Sequence, residues 1–278
     1  MTKIFTRTFR VRWAELDASS AVSPANYLRY LMETAWDWGD AVGLGVNDSQ
    51  TLDLFWVIRE TEIRFLRPLR HHDVFDFTIW LVNWQRVRGT RCFELKLKDG
   101  GDVIAQGTQE VVSMDVKTGR PMSLPEHVID RFRLENPRVF PFERFPRISS
   151  VEAPYVMQRQ VESMDLDLYE HVNNAVYIHY AEEAVAQAFF AQEWSPAKLS
   201  EHHLAVLTRR AHIQYLSLAS WGETLNISTQ ILDVKDTGGS RYVSMTRADG
   251  TPVAACILDW ELVDRKSGEV RPLPEGLL

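Results

Sequence analysis

An α+β fold built as two tandem copies follows from three observations. One fixed offset relates the two halves of the chain, each half opens on a strand-like alternation leading into a helix, and each continues through four more alternating runs joined partly by hairpin turns. The offset is 150: it relates Val11 to Val161, Leu16 to Leu166, Asp17 to Asp167, Val22 to Val172, Ala25 to Ala175, Tyr27 to Tyr177, Tyr30 to Tyr180 and Glu33 to Glu183. It persists through Arg59 and Arg209, Ile63 and Ile213, Gly89 and Gly239, and Arg91 and Arg241. A one-residue deletion then shifts it to 149, pairing Ala105 with Ala254, Asp115 with Asp264, Gly119 with Gly268 and Pro125 with Pro274. The repeat predicts an N-terminal domain over 1–128, a linker over 129–152 marked by Pro137, Pro141 and Pro146, and a C-terminal domain over 153–278.

The first strand is read from Phe5, Phe9, Val11 and Trp13 alternating with Thr8, Arg10 and Arg12. A helix follows. Ser23-Pro24 is an N-cap with proline at the first helical position, and the second copy places Asn173, another good cap, where the first has Ser23. Tyr27, Tyr30, Leu31 and Trp38, then Tyr177, Tyr180, Ala184 and Ala188, recur at helical spacing, and Gly43 or Gly45 ends the first helix. The runs Val57–Phe65, Val74–Trp84, Arg91–Lys98 and Val103–Val116 are predicted strands, repeated over Leu204–Tyr215, Thr224–Val234, Arg241–Arg247 and Pro252–Val263. Lys98-Asp99-Gly100-Gly101 and Ala248-Asp249-Gly250 are hairpin turns. A strand, a long helix and an antiparallel meander make an α+β unit with the helix on one sheet face.

Composition excludes several classes. With 45% hydrophobic and 25% charged residues in 278, the chain is an ordinary globular protein, and a net charge of −7 argues against nucleic acid. No apolar run approaches the roughly 20 residues of a membrane span, and the charged-apolar alternation of the first residues is unlike a secretory signal, so a cytoplasmic protein is expected. Cys92 and Cys256 are expected to be buried thiols. His71-His72 and His202-His203 lack ligand spacing, so no metal is expected. Arg59, Arg64, Arg67, Arg70, Arg86, Arg88 and Arg91 crowd one stretch, either a docking patch for an acidic partner or a solvated face balanced by Glu60, Glu62, Asp73 and Asp76.

Particular strings carry a family resemblance. VRWAELDASSAVSPANYLRYLMETA resembles the opening of hotdog thioesterases. FWVIRETEIRFLRPLRHHDVF and VKTGRPMSLPEHV resemble the first half of acyl-acyl-carrier-protein thioesterases, and ESMDLDLYEHVNNAVYIHY, with HVNNAVY its most specific piece, resembles their second half. The resemblance implies a tandem (double) hotdog, each copy a long helix packed on an antiparallel sheet. It also implies hydrolysis of fatty acyl thioesters of acyl carrier protein in fatty acid biosynthesis, with no metal or redox cofactor. Strings related to HVNNAVY recur across the hotdog superfamily. An acyl-CoA thioesterase, a non-catalytic acyl- or carrier-binding hotdog protein and an acyl-thioester dehydratase therefore stay open, as does the choice between monomer and homodimer.

Thioester hydrolysis needs an activated water or nucleophile at the carbonyl carbon and donors aimed at the developing oxyanion. A helix start supplies such donors. In the second copy that start falls at Val172, Asn173 and Asn174, expected to bind substrate, with Asp167 as base or nucleophile and His171 carrying a proton. The first copy has Ala21 in place of His171. By the resemblance, Asp17 is the alternative catalytic carboxylate, while Ser20 replaces a usual glycine and Pro24 removes an N–H donor, so the first copy is expected to supply mainly pocket and architecture. Both aspartates have a structural reading as turn-closing residues, and Tyr177 and Tyr180 read as core. Tyr169 stands where plant relatives carry asparagine, and Leu218-Ala219 where they carry a Glu-Cys pair. Arg64, Arg67, Arg70, Arg86 and Arg88 are the expected carrier-docking residues.

Overall fold

The computed structural model describes residues 3–45, 53–148 and 154–277; the linker's last residues, 149–152, and the outermost domain boundaries lie outside these. The first repeat runs β1 Ile4–Arg10, α1 Pro24–Ala41, β2 Leu54–Phe65, β3 Val74–Gln85, β4 Arg88–Leu97, β5 Val103–Asp115 and a one-turn α2 Glu126–Ile129. The second runs β6 Tyr155–Gln160, α3 Asn174–Phe190, α4 Pro196–Glu201, β7 Leu204–Tyr215, β8 Thr224–Lys235, β9 Gly238–Thr246 and β10 Pro252–Asp264. The expected elements are all present, with β2, β4 and β9 each starting three residues earlier than the alternation indicates. The short α4 is new, although Ser195-Pro196 is a cap signal: the Lys198 N–H donates to Ser195 Oγ at 3.1 Å. No helix among the described residues is long and apolar enough to cross a membrane.

Each repeat forms an antiparallel sheet, in the order β1-β3-β4-β5-β2 in the first and β6-β8-β9-β10-β7 in the second. The turns Gly100 and Gly250 have φ of 96° and 85°, a left-handed conformation that favours glycine. Two compact units result, one of Met1–Trp13 with Tyr27–Glu143, the other of Ala14–Asn26 with Arg144–Leu278. The turn leading into α1 thus belongs to the unit of the second repeat.

Within the first unit the helix stripe packs on the sheet: Tyr30 meets Phe9 of β1 at 4.9 Å and Phe75 of β3 at 5.0 Å, and Tyr27 meets Phe65 of β2 at 4.9 Å. In the second, α3 lies across β6, β8, β9 and β10. Fully buried Leu31, Phe75, Phe77 and Phe93 in the first unit each stabilise it by about 1.5–3 kcal/mol. The repeated tyrosine fixes helix to loop in both copies: Tyr27 Oη accepts the Leu69 N–H at 3.0 Å and Tyr177 Oη the Ala219 N–H at 3.2 Å.

The proline-rich connector is no free tether. Its first part straps the outer face of the first sheet, where Trp80 Nε1 donates to the Arg138 carbonyl at 2.7 Å and Phe140 packs on Trp80 and Cys92. In the second unit Phe145 packs on Ala255, Ile257 and Tyr242, one residue out of phase with the face that carries Leu258 and Trp260. Both cysteines are free and buried, as expected.

Tyr27→Phe and Tyr177→Phe each leave a buried N–H without its acceptor, and each is expected to cost about 1–3 kcal/mol in urea unfolding. Wild-type stability in both variants would show the hydroxyls to be dispensable.

Candidate active site

The turn before α3 folds around backbone polarity. Asp167 Oδ1 accepts the Tyr169 N–H at 2.9 Å, the Asp167 N–H donates to the His171 carbonyl at 2.9 Å, and Glu170 sits at φ 62°. Asp17 closes its turn the same way, taking the Ser19 N–H at 2.7 Å. Both aspartates therefore have turn-closing roles. Among the described residues no hydrogen bond joins the Asp167 carboxylate to the His171 ring, although both belong to one turn. Asn173 is the N-cap, its Oδ1 taking the Ala175 N–H at 3.0 Å. Of the donors expected here, the Val172 N–H is spent on the Ala219 carbonyl and the Asn173 N–H on the Asp165 carbonyl, which leaves Asn174. Tyr169 lies beside this carboxylate; burial first, and then the Asp167 charge, push its phenol up. The Leu218-Ala219 position serves through its backbone, Ala219 bonding Tyr177 and Val172.

The five arginines expected to dock a carrier do not share one patch. Arg64 ends β2, and Arg67 and Arg70 precede β3, whereas Arg86 and Arg88 lie at the far end of that strand. On β5, Arg64 stands opposite Gln106 and Arg88 opposite Val112, about 20 Å apart along the strand, with Arg67 and Arg70 farther still. Arg64 pairs with Glu62 and Glu143 at 2.9 and 3.0 Å, Arg67 with Asp102 at 2.9 Å, and Arg88 approaches Glu110 at 3.8 Å. The solvated-face reading with acidic counter-charges describes them better.

A second centre escaped the reading of the sequence. Glu182 stands on the otherwise apolar stripe of α3, between buried Ile178, Val185 and Phe189, and faces a cavity of about 170 Å³ lined by Val185, Phe189, Trp194, Leu258 and Trp260. Thr208, on β7, also lines it and donates a long bond of 3.5 Å to Glu182 Oε1. The Ala25 N–H, in the first turn of α1, is a nearby donor that favours the charged form of the same carboxylate. Burial pushes the Glu182 carboxyl up to about 8, the Asp17 charge adds to the rise, and the bonds from Thr208 and Ala25 oppose it. Cys256 is fully buried, its thiol pushed up by burial and then by Glu182, so it is no thiolate nucleophile.

One signal for Glu182 lay in the repeat. Glu183 has Glu33 as its counterpart, but Glu182 falls opposite Met32, so only the second helix carries an acid on this stripe. The first helix start is also more than architecture: Pro24 lacks an N–H, and the next donor, Ala25, is aimed at Glu182.

Two five-stranded antiparallel units, each carrying one long helix, are the architecture of a double hotdog. The chain belongs to the thioesterase-like superfamily, which residues 11–132 and 161–278 match. It is 23% identical over 220 residues to a chloroplastic dodecanoyl-[acyl-carrier-protein] hydrolase of Umbellularia californica, covering 74% of this chain and 54% of that one. Against the chloroplastic oleoyl-acyl carrier protein thioesterase 1 of Arabidopsis thaliana the identity is also 23%, covering 73% and 58%. The chain thus spans little more than half the length of these relatives. In fold it resembles the 12:0-ACP thioesterase from Umbellularia californica, with a TM-score of 0.78, 19% identity and 94% of each chain covered. It also resembles an acyl-ACP thioesterase from Bacteroides thetaiotaomicron, with a TM-score of 0.76, 18% identity, and 93% and 98% covered.

The Glu182 shift has a sign that unfolding can read. The unfolded carboxyl titrates near about 4.3, the folded one near about 8. Between these values the unfolded chain releases a proton that the folded chain keeps, so stability from this group is complete below the lower value and is lost as pH rises towards the upper. Glu182→Gln removes that loss. The variant is expected to gain stability relative to wild type between pH 5 and pH 8 in urea unfolding; parallel profiles would show that Glu182 ionises normally.

Proposed function

We propose that the chain hydrolyses fatty acyl thioesters of acyl carrier protein, with Glu182 activating the water. The observation that carries this reading is the Glu182 carboxylate on the wall of an apolar cavity, with Thr208 bonded to it and the Ala25 N–H beside it. The acyl chain occupies the cavity, and the thioester carbonyl oxygen takes over the Ala25 N–H. Ionised Glu182 removes a proton from water as the oxygen adds to the carbonyl carbon, and the oxyanion rests on that N–H at the positive end of α1. Collapse breaks the C–S bond, and the departing thiolate takes the proton from Glu182, which restores the carboxylate. Asp17 and burial keep Glu182 basic enough to act, and Thr208 orients it. The carrier-protein thioesterase activities of the Umbellularia californica and Arabidopsis thaliana relatives favour carrier protein as the thiol; acyl-CoA is the alternative carrier.

A second reading puts the chemistry at the start of α3, with Asp167 and His171 acting beside the unused Asn174 N–H. It is favoured by the HVNN string and by the absence, among the described residues, of a partner for that donor.

Purified protein is expected to turn over acyl carrier protein thioesters with kcat/KM rising with pH and levelling near about 8. Glu182→Gln is expected to lose about 10²–10⁴-fold, while Asp167→Ala and His171→Ala keep most activity. The reverse pattern moves the reaction to α3, and no turnover of either carrier thioester or acyl-CoA sinks the proposal. Charge reversal of Arg86 and Arg88, set against reversal of Arg64, Arg67 and Arg70, tests docking at each end of the first sheet: as a solvated face neither set changes KM for the carrier protein, and a rise in KM for the carrier that spares acyl-CoA would assign docking to that end.

A further inference from the structure

Arg241, on β9, is 3% exposed, and its guanidinium stacks 4.9 Å from the centroid of the Phe189 ring. Its cross-strand neighbour on β10 is Leu258. Phe189 and Leu258 both line the cavity that holds Glu182, so Arg241 borders it directly behind two wall residues. Among the described residues the Arg241 side chain makes no hydrogen bond and no ion pair, and its Nε is buried without an acceptor. Trp260, another wall residue, has its buried Nε1 in the same condition.

The first repeat shows what such an arginine requires. Arg91, at the matching position, faces Gln109 across the strands. Gln109 Oε1 accepts from Arg91 Nε at 2.8 Å and from Nη2, and the Gln109 amide donates onward to Thr61 at 2.8 Å. In the second repeat the position of Gln109 is Leu258, so the guanidinium has been kept and its acceptor has gone. An uncompensated buried cation is destabilising, and stacking on one aromatic face offsets only part of that cost. Burial lowers the guanidinium only to about 10, so it stays charged at neutral pH.

We infer that the cavity takes an acyl chain whose far end bears a carboxylate, and that this carboxylate pairs with Arg241. Glu182 and Phe189 lie seven positions apart on α3, about 10 Å along the axis, with Val185 and Trp260 lining the wall between. A thioester at Glu182 therefore sends its chain along an apolar path towards the guanidinium, whose planar fork suits a carboxylate. The orientation rests on the thioesterase reading; recognition of the carboxylate does not.

The test compares pantetheine thioethers of increasing chain length, in pairs ending in carboxylate or in methyl, by calorimetry. The wild-type protein is expected to bind a carboxylate-ended member at least tenfold more tightly than its methyl-ended twin. Arg241→Met should abolish that preference. Leu258→Gln, which restores the acceptor of the first repeat, should raise the melting temperature and also suppress the preference while leaving the arginine in place. The corresponding thioesters should show the same ratio in kcat/KM. Equal affinity for both ends in the wild type, or a preference that survives Arg241→Met and Leu258→Gln, overturns the inference. A binding preference without hydrolysis would leave it standing and remove only the thioesterase reading.

Discussion

A helix that starts inside protein presents N–H groups that need acceptors, and the two repeats are organised by how they meet that demand. At α3 the cap is local: the Asn173 side chain takes the Ala175 N–H. At α1 the serine in the same place is occupied otherwise, Ser23 Oγ accepting from Asn26 Nδ2 at 3.1 Å, and the Glu182 carboxylate stands near the Ala25 N–H. Changing which group caps the helix brings a carboxylate to the positive end of the dipole. That end favours the anion, the apolar cavity and Asp17 disfavour it, and the outcome shows that desolvation wins. A group balanced in this way can exchange a proton near neutral pH, which an exposed glutamate cannot do.

Around this asymmetry the scaffold is held constant. Tyr27 and Tyr177 tie each helix to the loop that follows the next strand, Leu69 and Ala219 being the tied residues at the same offset. Asp17 and Asp167 close turns of one shape, each with a residue at positive φ, Ser20 and Glu170, three positions on. A scaffold specified twice tolerates chemical differences laid upon it, because turn, cap and core do not depend on which residue faces the cavity.

These two layers differ in how far the sequence discloses them. The helix starts, the hairpin glycines and the buried cysteines are local patterns and could be read directly, and the repeat fixed each of them twice. The turn of Asp167 and His171 was also legible, but as a motif rather than as geometry; the bonds of Asp167 are to backbone N–H groups, which no side-chain pattern reveals. Glu182 was hidden for a different reason. Its partners, Ala25 and Thr208, come from distant parts of the chain, and the segment Ala14–Asn26 belongs to the compact unit of the second repeat rather than of its own. The arginine crowding misled in the opposite sense, since closeness along the chain became distance along β3. Proximity in sequence is a guide to proximity in space over a turn, and a poor one over the length of a strand.

The duplication also provides an internal control that a single domain lacks. Where the copies agree, a structural cause is sufficient: both need the tyrosine, the capped helix and the glycine turn. Where they differ at a buried polar position, the unaltered copy shows what the fold alone demands. Arg91 with Gln109 shows that a guanidinium at this place on the sheet is compatible with the fold when it has an acceptor. Met32 shows that the helix stripe needs no acid. Arg241 without its glutamine and Glu182 in place of methionine are both departures from those demands, both lie in the second unit, and both border one cavity. Each costs stability, through an unpaired cation or a desolvated carboxyl. Two costly departures meeting at one cavity are explained together by a ligand that contacts both, and separately by nothing in the scaffold.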